Sequence, residues 1–310
     1  MIMHRPDPAV AIRSLRSAAP YIRMYKGKTF VVKAGGGVFA DAAAVRGLIE
    51  QIAILHYFGV RVVFVHGGGP QLTEITEALG VPTRMVQGRR VTDQKAIDAT
   101  AMVLNGLINT KLLAHCREMN IDAIGISGVD AGLIRAHKRA PVKLDSGEIV
   151  DYGFVGDIDS VDTSVINKLL DSGLMPIVSP LSADDAGTLL NINGDTVAAA
   201  IGAALKAEKL MLCTGAPGIL ANVEDPTSVI SYTDLAGLKK LREEKKIVDG
   251  MLPKAKAIED AIRGGVRRVH VMSYKSGEGI LAEVFTNEGA GTLIVADINA
   301  LSPAEQEVGK

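Results

Sequence analysis

The chain reads as an α/β protein, a three-layer αβα sandwich on a largely parallel open sheet. Short apolar runs rich in Val and Ile alternate with helix-period stretches almost throughout, which is the pattern of βαβ units. The 310 residues are 47% apolar but only 4% aromatic, so Ala, Val, Ile and Leu must build the core. That palette suits helices packed on a buried parallel sheet. Two apolar runs also lead straight into triple glycines. Thr29–Lys33 feeds Gly35-Gly36-Gly37, and Val62–His66 feeds Gly67-Gly68-Gly69.

Taken in order, residues 9–25 place Val10, Ala11, Leu15, Ala18 and Ile22 roughly on one helical face. Strand 29–33 precedes a helix over 41–58, where Val45, Leu48, Ile49, Ile52 and Leu55 recur at helical spacing. Strand 61–65 leads through the second glycine turn into a helix over 70–79. Pro82 and Thr83 open an extended stretch through Gly88-Arg89-Arg90-Val91-Thr92, and a helix over 93–119 follows. Thr92 and Asp93 both suit its N-cap. Ile121–Ser127 is a strand, and 133–158 reads as hairpins turning at Asp145-Ser146-Gly147. A helix over 162–172 and buried strands at Met175–Pro180, Lys209–Cys213 and Val269–Met272 complete the series. The expected division is an N-terminal helical arm (1–25), an N-terminal lobe (26–180), a C-terminal lobe (181–298) and a tail (299–310). The two lobes are expected to share one continuous sheet.

A formal net charge of −1 provides no global field to gather nucleic acid or acidic lipid, so neither is expected as a partner. No segment approaches the roughly 20 apolar residues needed to span a bilayer, so no membrane is expected either. Cys116 and Cys213 are too few for a disulfide framework and fit a reducing cytoplasm. Arg5, Arg13 and Arg16 hint at a targeting leader, but Pro6, Asp7 and Pro8 interrupt it, and a folded arm is the better reading. The P-loop, the kinase glycine lid and the Gly-x-Ser-x-Gly elbow are all missing. Six scattered histidines show no metal-ligand spacing, so no protein metal site is expected. His66, just before a glycine turn, is read as a packed or capping group.

Glycine turns after neighbouring strands let backbone N–H groups face an anion, and a following helix adds its positive dipole end. The two turns therefore form either an anion cradle with Lys33 at its lip or two tight turns without a ligand. Asn191-Ile192-Asn193-Gly194-Asp195 precedes a small-residue helix, Thr196–Leu205. Asp195 is either a plain helix cap or part of a site. Lys254 follows Asp249-Gly250-Met251-Leu252-Pro253 at the mouth of another helix. Lysines at element ends beside glycine turns are suited to clamping phosphoryl oxygens.

These residues resemble the amino acid kinase family over roughly Ala19–Val295, and within it the N-acetylglutamate kinases. The motifs are Val32-Lys33-Ala34-Gly35-Gly36, Val65-His66-Gly67-Gly68-Gly69-Pro70-Gln71, Gly88-Arg89-Arg90-Val91-Thr92-Asp93, Asn191–Asp195, Ala207-Glu208-Lys209-Leu210 and Gly250-Met251-Leu252-Pro253-Lys254. The resemblance implies the amino acid kinase fold. It also implies ATP-dependent phosphorylation of the side-chain carboxylate of N-acetyl-L-glutamate in arginine biosynthesis. ATP and Mg²⁺ are then the expected cofactors, with the ion on the nucleotide phosphates.

By the same similarity, Lys33 stabilises the transferring phosphoryl group, Lys254 the β–γ side of the nucleotide, and Asp195 orients both. Gly68, Gly69, Arg90 and Asn191 are implied to bind the acceptor, with Arg90 on its α-carboxylate. Gly35, Gly36, Thr214, Gly215, Gly218, Gly250 and Met251 are implied to bind nucleotide. Three departures stand out: Gly215 replaces a usual Asp, Gly194 a usual Ala, and Ser273–Glu278 a usual Asp-Gly-Arg stretch. Ala19-Pro20-Tyr21-Ile22-Arg23 resembles the extra helix of arginine-inhibited hexameric members, and Tyr21, Glu283 and Gly289 match their effector site. A homodimer or a hexamer built as a trimer of dimers is the implied assembly, and docking of a PII protein stays open. Two other readings remain at this stage: a kinase of another, carrier-linked amino-acid carboxylate, and a non-catalytic arginine-sensing subunit.

Overall fold

The computed structural model describes residues 7–300 apart from 87–88, 145, 248–249 and 287–288. Arg5, Pro6, Gly88, Asp145, Asp249 and the tail from 301 onward lie outside the described residues.

Helix α1 (Pro8–Tyr25) starts at Asp7, whose carboxylate accepts from Ala9 N at 2.9 Å. Strand β1 (Thr29–Ala34) leads through a 3₁₀ turn (Gly36–Ala40) to α2 (Ala42–Tyr57), capped by Asp41. Strand β2 (Arg61–His66), α3 (Gly69–Ala78) and a hairpin of β3 (Arg84–Val86) and β4 (Arg89–Val91) follow. One long helical stretch then comprises α4 (Gln94–Ala101), a π-helical turn (Met102–Ile108) and α5 (Asn109–Glu118). Next come β5 (Ala123–Ser127), β6 (Ile134–Lys138), β7 (Val142–Lys143), β8 (Ile149–Val150) and β9 (Gly156–Val161). Helix α6 (Ser164–Asp171) precedes β10 (Met175–Ser179), β11 (Leu181–Ala183) and β12 (Leu189–Asn191). The chain continues through α7 (Gly194–Ala204), β13 (Lys209–Thr214), β14 (Tyr232–Asp234), α8 (Leu235–Glu243) and α9 (Met251–Arg263). It then runs through β15 (Arg268–Ser273), α10 (Gly279–Phe285) and β16 (Gly291–Val295).

Eight strands form the main sheet in the order β14-β16-β15-β13-β1-β2-β10-β5. Every neighbouring pair is parallel except β15 with β16. β1 therefore sits between β2 and β13, and the glycine turns after β1 and β2 lie side by side.

Side chains alternate across this sheet with period two. Phe30, Val32 and Ala34 of β1 join a core with α2, α5 and Val284 of α10, whereas Val31 joins a second core under α6, α7 and α9. Lys33 shares the Val31 face by the same alternation, and so points toward α7. Helices thus cover both faces of the sheet, as the composition predicts.

Small residues allow α7 and α9 to approach closely. A Cβ on Gly264 would fall 2.3 Å from Ala203 Cβ, and one on Gly202 would fall 3.3 Å from Val266 Cγ2. At their other ends the first turns of α7 and α9 meet through Asp195 and Lys254.

The main helices and strands lie within two or three residues of their expected bounds. Three differences are informative. The expected helix 93–119 is interrupted by the π turn. After residue 180 the chain returns to a second sheet, ordered β12-β11-β6-β9, so the expected lobe division falls inside that sheet. Strands β14 and β16 pair with each other at one edge of the main sheet and carry no period long enough to read from sequence.

Candidate active site

Lys33, Asp195 and Lys254 converge in a buried bridge. Lys33 Nζ lies 2.7 Å from Asp195 Oδ1, and Lys254 Nζ donates to Asp195 Oδ2 at 2.9 Å. All three residues are less than 10% exposed. Burial raises the Asp195 pKa, but the two ammonium groups outweigh it and hold the carboxyl well below the usual range. Burial and the Lys33 charge together push Lys254 down despite Asp195. Two cations on one carboxylate leave one positive charge uncompensated within the bridge.

Asp195 is not the helix cap. That role falls to Asn193, whose Oδ1 accepts from Asp195 N at 2.8 Å and Thr196 N at 3.2 Å. The cap secures the first turn of α7 and frees the Asp195 carboxylate for the lysines. Gly194 lies against Lys33, where a Cβ would fall 3.3 Å from Lys33 Cε.

The bridge opens on a cleft of about 330 Å³. Lys33, Gly35, Gly36, Gly68, Gly69, Arg90 and Asn191 all line it, so the structure brings these expected residues together. Two of these glycines are packed too closely for a side chain unless their neighbours shift. A Cβ on Gly36 would fall 2.6 Å from Pro70 Cδ, and one on Gly68 would fall 2.4 Å from Ile108 Cδ1 and 2.5 Å from Leu104 Cδ2. The π turn is what presses Leu104 and Ile108 onto Gly68, and such turns recur at functional sites. Arg90 donates to Thr83 Oγ1 at 2.7 Å, Thr73 Oγ1 at 2.5 Å and Gly69 O at 3.2 Å. Five N–H donors make a guanidinium, so part of its fork stays available to the cleft.

The residues expected on the nucleotide side are arranged separately. Thr214, Gly215, Gly218, Gly250 and Met251 do not line this cleft. Thr214 ends β13 beside Ser273 of β15, and Gly218 packs on β16, where a Cβ would fall 2.7 Å from Thr292 Oγ1. Gly250 and Met251 open α9 one turn before Lys254.

Of the expected effector residues, Glu283 and Gly289 meet. A Cβ on Gly289 would fall 3.4 Å from Glu283 Oε1, and the same oxygen accepts from Ala290 N at 2.7 Å. Glu283 also contacts His270 Nδ1 at 2.9 Å, and His270 Nε2 contacts Lys209 Nζ at 3.1 Å. Burial pushes His270 down to about 4, so its neutral ring donates from Nδ1 to the carboxylate and accepts at Nε2 from the ammonium. Tyr21 packs against the core that includes Val284.

A family model described as the amino acid kinase family matches residues 28–273. The chain belongs to the amino acid kinase family. An acetylglutamate kinase of Myxococcus xanthus is 46% identical over 304 residues, covering 96% of this chain and 97% of that protein. Among solved structures, an N-acetylglutamate synthase from Neisseria gonorrhoeae superposes with a TM-score of 0.80 at 24% identity. The match covers 92% of this chain and 63% of the synthase, so this chain spans under two thirds of that protein. Carbamate kinase from Giardia lamblia bound to AMP-PNP superposes with a TM-score of 0.63 at 18% identity, covering 88% of this chain and all of that one. Both structural neighbours share the amino acid kinase fold with this chain.

Several cleft residues escape a sequence reading. Leu72, Met85, Leu104, Val155, Pro180 and Ile192 form its apolar wall, while Arg89 and Arg139 add positive charge. Arg139 Nε donates to both carboxylate oxygens of Asp157, at 3.1 and 3.0 Å, and this pairing orients it. Its place in the cleft depends on the β6–β9 pairing, which no local motif announces.

His66 has a structural role. Its Nδ1–H donates to Gly67 O at 3.0 Å, and its Nε2 faces Asn109 Nδ2 at 3.3 Å. Burial is the main cause that pushes its pKa down to about 4. Between that value and the ordinary 6.5, the unfolded chain binds a proton that the folded chain refuses. This contribution to stability is complete above pH 6.5 and is lost as the pH falls toward 4. His270 acts with the same sign over the same window. Calorimetric Tm should therefore drop through this range, and a His66→Asn variant should show a shallower drop.

Proposed function

We propose that this protein transfers the γ-phosphoryl group of ATP to the side-chain carboxylate of N-acetyl-L-glutamate. The product is N-acetyl-L-glutamyl 5-phosphate, an intermediate of arginine biosynthesis. The observation that carries this reading is the Lys33–Asp195–Lys254 bridge beside two glycine turns. Relatives such as the Myxococcus protein bear the name acetylglutamate kinase.

Phosphoryl transfer requires alignment and cancellation of negative charge more than covalent help. The attacking carboxylate is already ionised at neutral pH, so no general base is needed. Lys33 stabilises charge on the moving phosphoryl group, Lys254 does so on the β–γ side, and Asp195 positions both. Backbone N–H groups of Gly35, Gly36, Gly68 and Gly69 hold the reacting oxygens, and Arg90 pairs with the α-carboxylate. Asn191 meets the acceptor backbone, and Thr214, Gly215, Gly218, Gly250 and Met251 line the nucleotide path in the C-terminal lobe.

The described residues include no group of three or more His, Cys, Asp or Glu placed to hold a metal, and Asp195 is occupied by its lysines. Mg²⁺ therefore fits as an ion carried on the ATP phosphates, where it neutralises their charge.

The cleft also favours an acylated acceptor. Its lining carries Lys33, Arg89, Arg90 and Arg139 but no Asp or Glu among the described residues. A free α-ammonium would meet cations there, whereas an N-acyl group can rest on the apolar wall. ADP release should depend on N-acetyl-L-glutamate and be at least ten-fold slower with free glutamate; preference for a carrier-linked or free amino acid would reject this acceptor.

We assign arginine to the Glu283–Gly289 region beside α1 as a feedback inhibitor. Arginine should inhibit the full chain, and Glu283→Gln should require more of it; an uninhibited full chain rejects the effector role. The assembly we favour is a homodimer or a trimer of dimers. Exposed Ile124 on edge strand β5, with Met102 and Leu107 of the π turn, supplies an apolar patch for a dimer contact. Among the described residues no helix is long and apolar enough to cross a membrane. Cys116 and Cys213 are unpaired and pushed up to about 12 by burial, which suits a reducing cytoplasm.

A further inference from the structure

Strands β15, β13 and β1 are consecutive in the main sheet and run parallel, so their C-terminal ends lie together. Ligands of open parallel sheets bind at such ends. The chain leaves β15 through Tyr274, whose backbone N–H donates to Thr214 O at 2.9 Å. The side chain then crosses the end of β13 and reaches the glycine turn after β1. A Cβ on Gly37 would fall 2.9 Å from Tyr274 Oη, and one on Gly215 would fall 3.7 Å from it. A side chain at 37 would therefore collide with the hydroxyl, and one at 215 would touch it.

The ring is half-buried against the core that holds Val38, Leu48 and Ile280, which fixes its direction. Its hydroxyl makes no hydrogen bond to any of the described residues. A neutral O–H that is held in place and unspent, beside a glycine turn rich in N–H groups, is a donor suited to an anion. No carboxylate stands at 215 to capture it or to repel an anion. Neither Tyr274 nor Gly37 lines the acceptor cleft; both line a separate cavity whose one carboxylate, Asp41, already accepts from Ala43 N and Ala44 N.

We propose that Tyr274 is a nucleotide-binding residue whose hydroxyl donates to a phosphate oxygen of the nucleotide. The assignment rests on the phosphoryl-transfer reading above. It also gives the unusual Ser273–Glu278 stretch and the bare Gly215 a common purpose, since one makes the donor and the other leaves it free.

Tyr274→Phe retains the ring and its packing, so the test isolates the hydroxyl. Calorimetric titration of the intact protein with Mg²⁺ and AMP-PNP should give a Kd about ten-fold weaker in the variant, since hydrogen bonds to charged groups are the stronger class. The KM for ATP should rise similarly, while Tm and the KM for N-acetyl-L-glutamate stay unchanged. Gly215→Asp should also weaken AMP-PNP binding, by capturing the hydroxyl, and should add little when combined with Tyr274→Phe. A Tyr274→Phe Kd within two-fold of the parent overturns the proposal, as does an equal rise in both KM values. If the parent chain fails to bind AMP-PNP, the phosphoryl-transfer reading itself falls; if it binds but does not use N-acetyl-L-glutamate, only the acceptor is wrong.

Discussion

Replacing Lys33 by methionine lowers kcat by about 10²–10³-fold, the loss expected when one preorganised donor to a transition-state charge is removed. Methionine retains most of the aliphatic volume beside Gly194 and leaves Asp195 paired with Lys254, so the fold is spared. The loss falls on kcat because charge on the moving phosphoryl group peaks in the transition state, where the ammonium interacts most strongly. Lys254→Met should act similarly but raise the KM for ATP as well, since the role proposed for Lys254 is on the β–γ side of the bound nucleotide. Steady-state kinetics with both substrates varied separate the two. Wild-type kcat in both variants would refute the assignment of the bridge as the catalytic centre.

Asp195→Asn has the larger effect on the molecule as a whole. The amide has the shape of the carboxylate but no charge, so two buried ammonium groups are left without their shared partner. Breaking a buried ion pair by neutralising one partner costs about 3–5 kcal/mol. The folded pKa of Asp195 lies below its unfolded value. Its stabilising contribution is therefore full above the ordinary carboxylate range and disappears only as the pH falls through the depressed folded value. Urea unfolding at neutral pH should show the deficit, and the deficit should shrink in strong acid. Activity should fall along with stability, because both lysines lose their anchor. An Asp195→Asn protein as stable and as active as the parent would leave the bridge without a function.

Much of this centre can be read locally. Lys33 belongs to an apolar strand that ends in glycines, and period two alone turns it toward the face that carries α7. Lys254 lies in the first turn of a helix, just after a glycine, and a lysine there is unusual enough to notice. Asp195 shows where local reading stops. Asn193 and Asp195 both precede the same helical run, and spacing cannot tell which caps it. Only the tertiary placement of Lys33 on β1 and Lys254 on α9 beside the first turn of α7 shows that Asn193 caps while Asp195 bridges the lysines. The π turn was equally hidden, because its apolar positions fit an ordinary helix until Gly68 requires Leu104 and Ile108 on one side. Strands β11, β12 and β14 are three residues long, too short to show a period. Arg139 and Tyr274 reach their sites through sheet pairing and a strand end, both long-range consequences of topology.

The most direct test of the central claim is capture of the acyl phosphate. Purified protein, Mg²⁺–ATP and N-acetyl-L-glutamate would be incubated with hydroxylamine and the hydroxamate measured. The bridge and its two glycine turns predict stoichiometric hydroxamate and ADP, both abolished by Lys33→Met. ATP hydrolysis without hydroxamate, or no turnover by a folded protein, would contradict phosphoryl transfer to a carboxylate at this site.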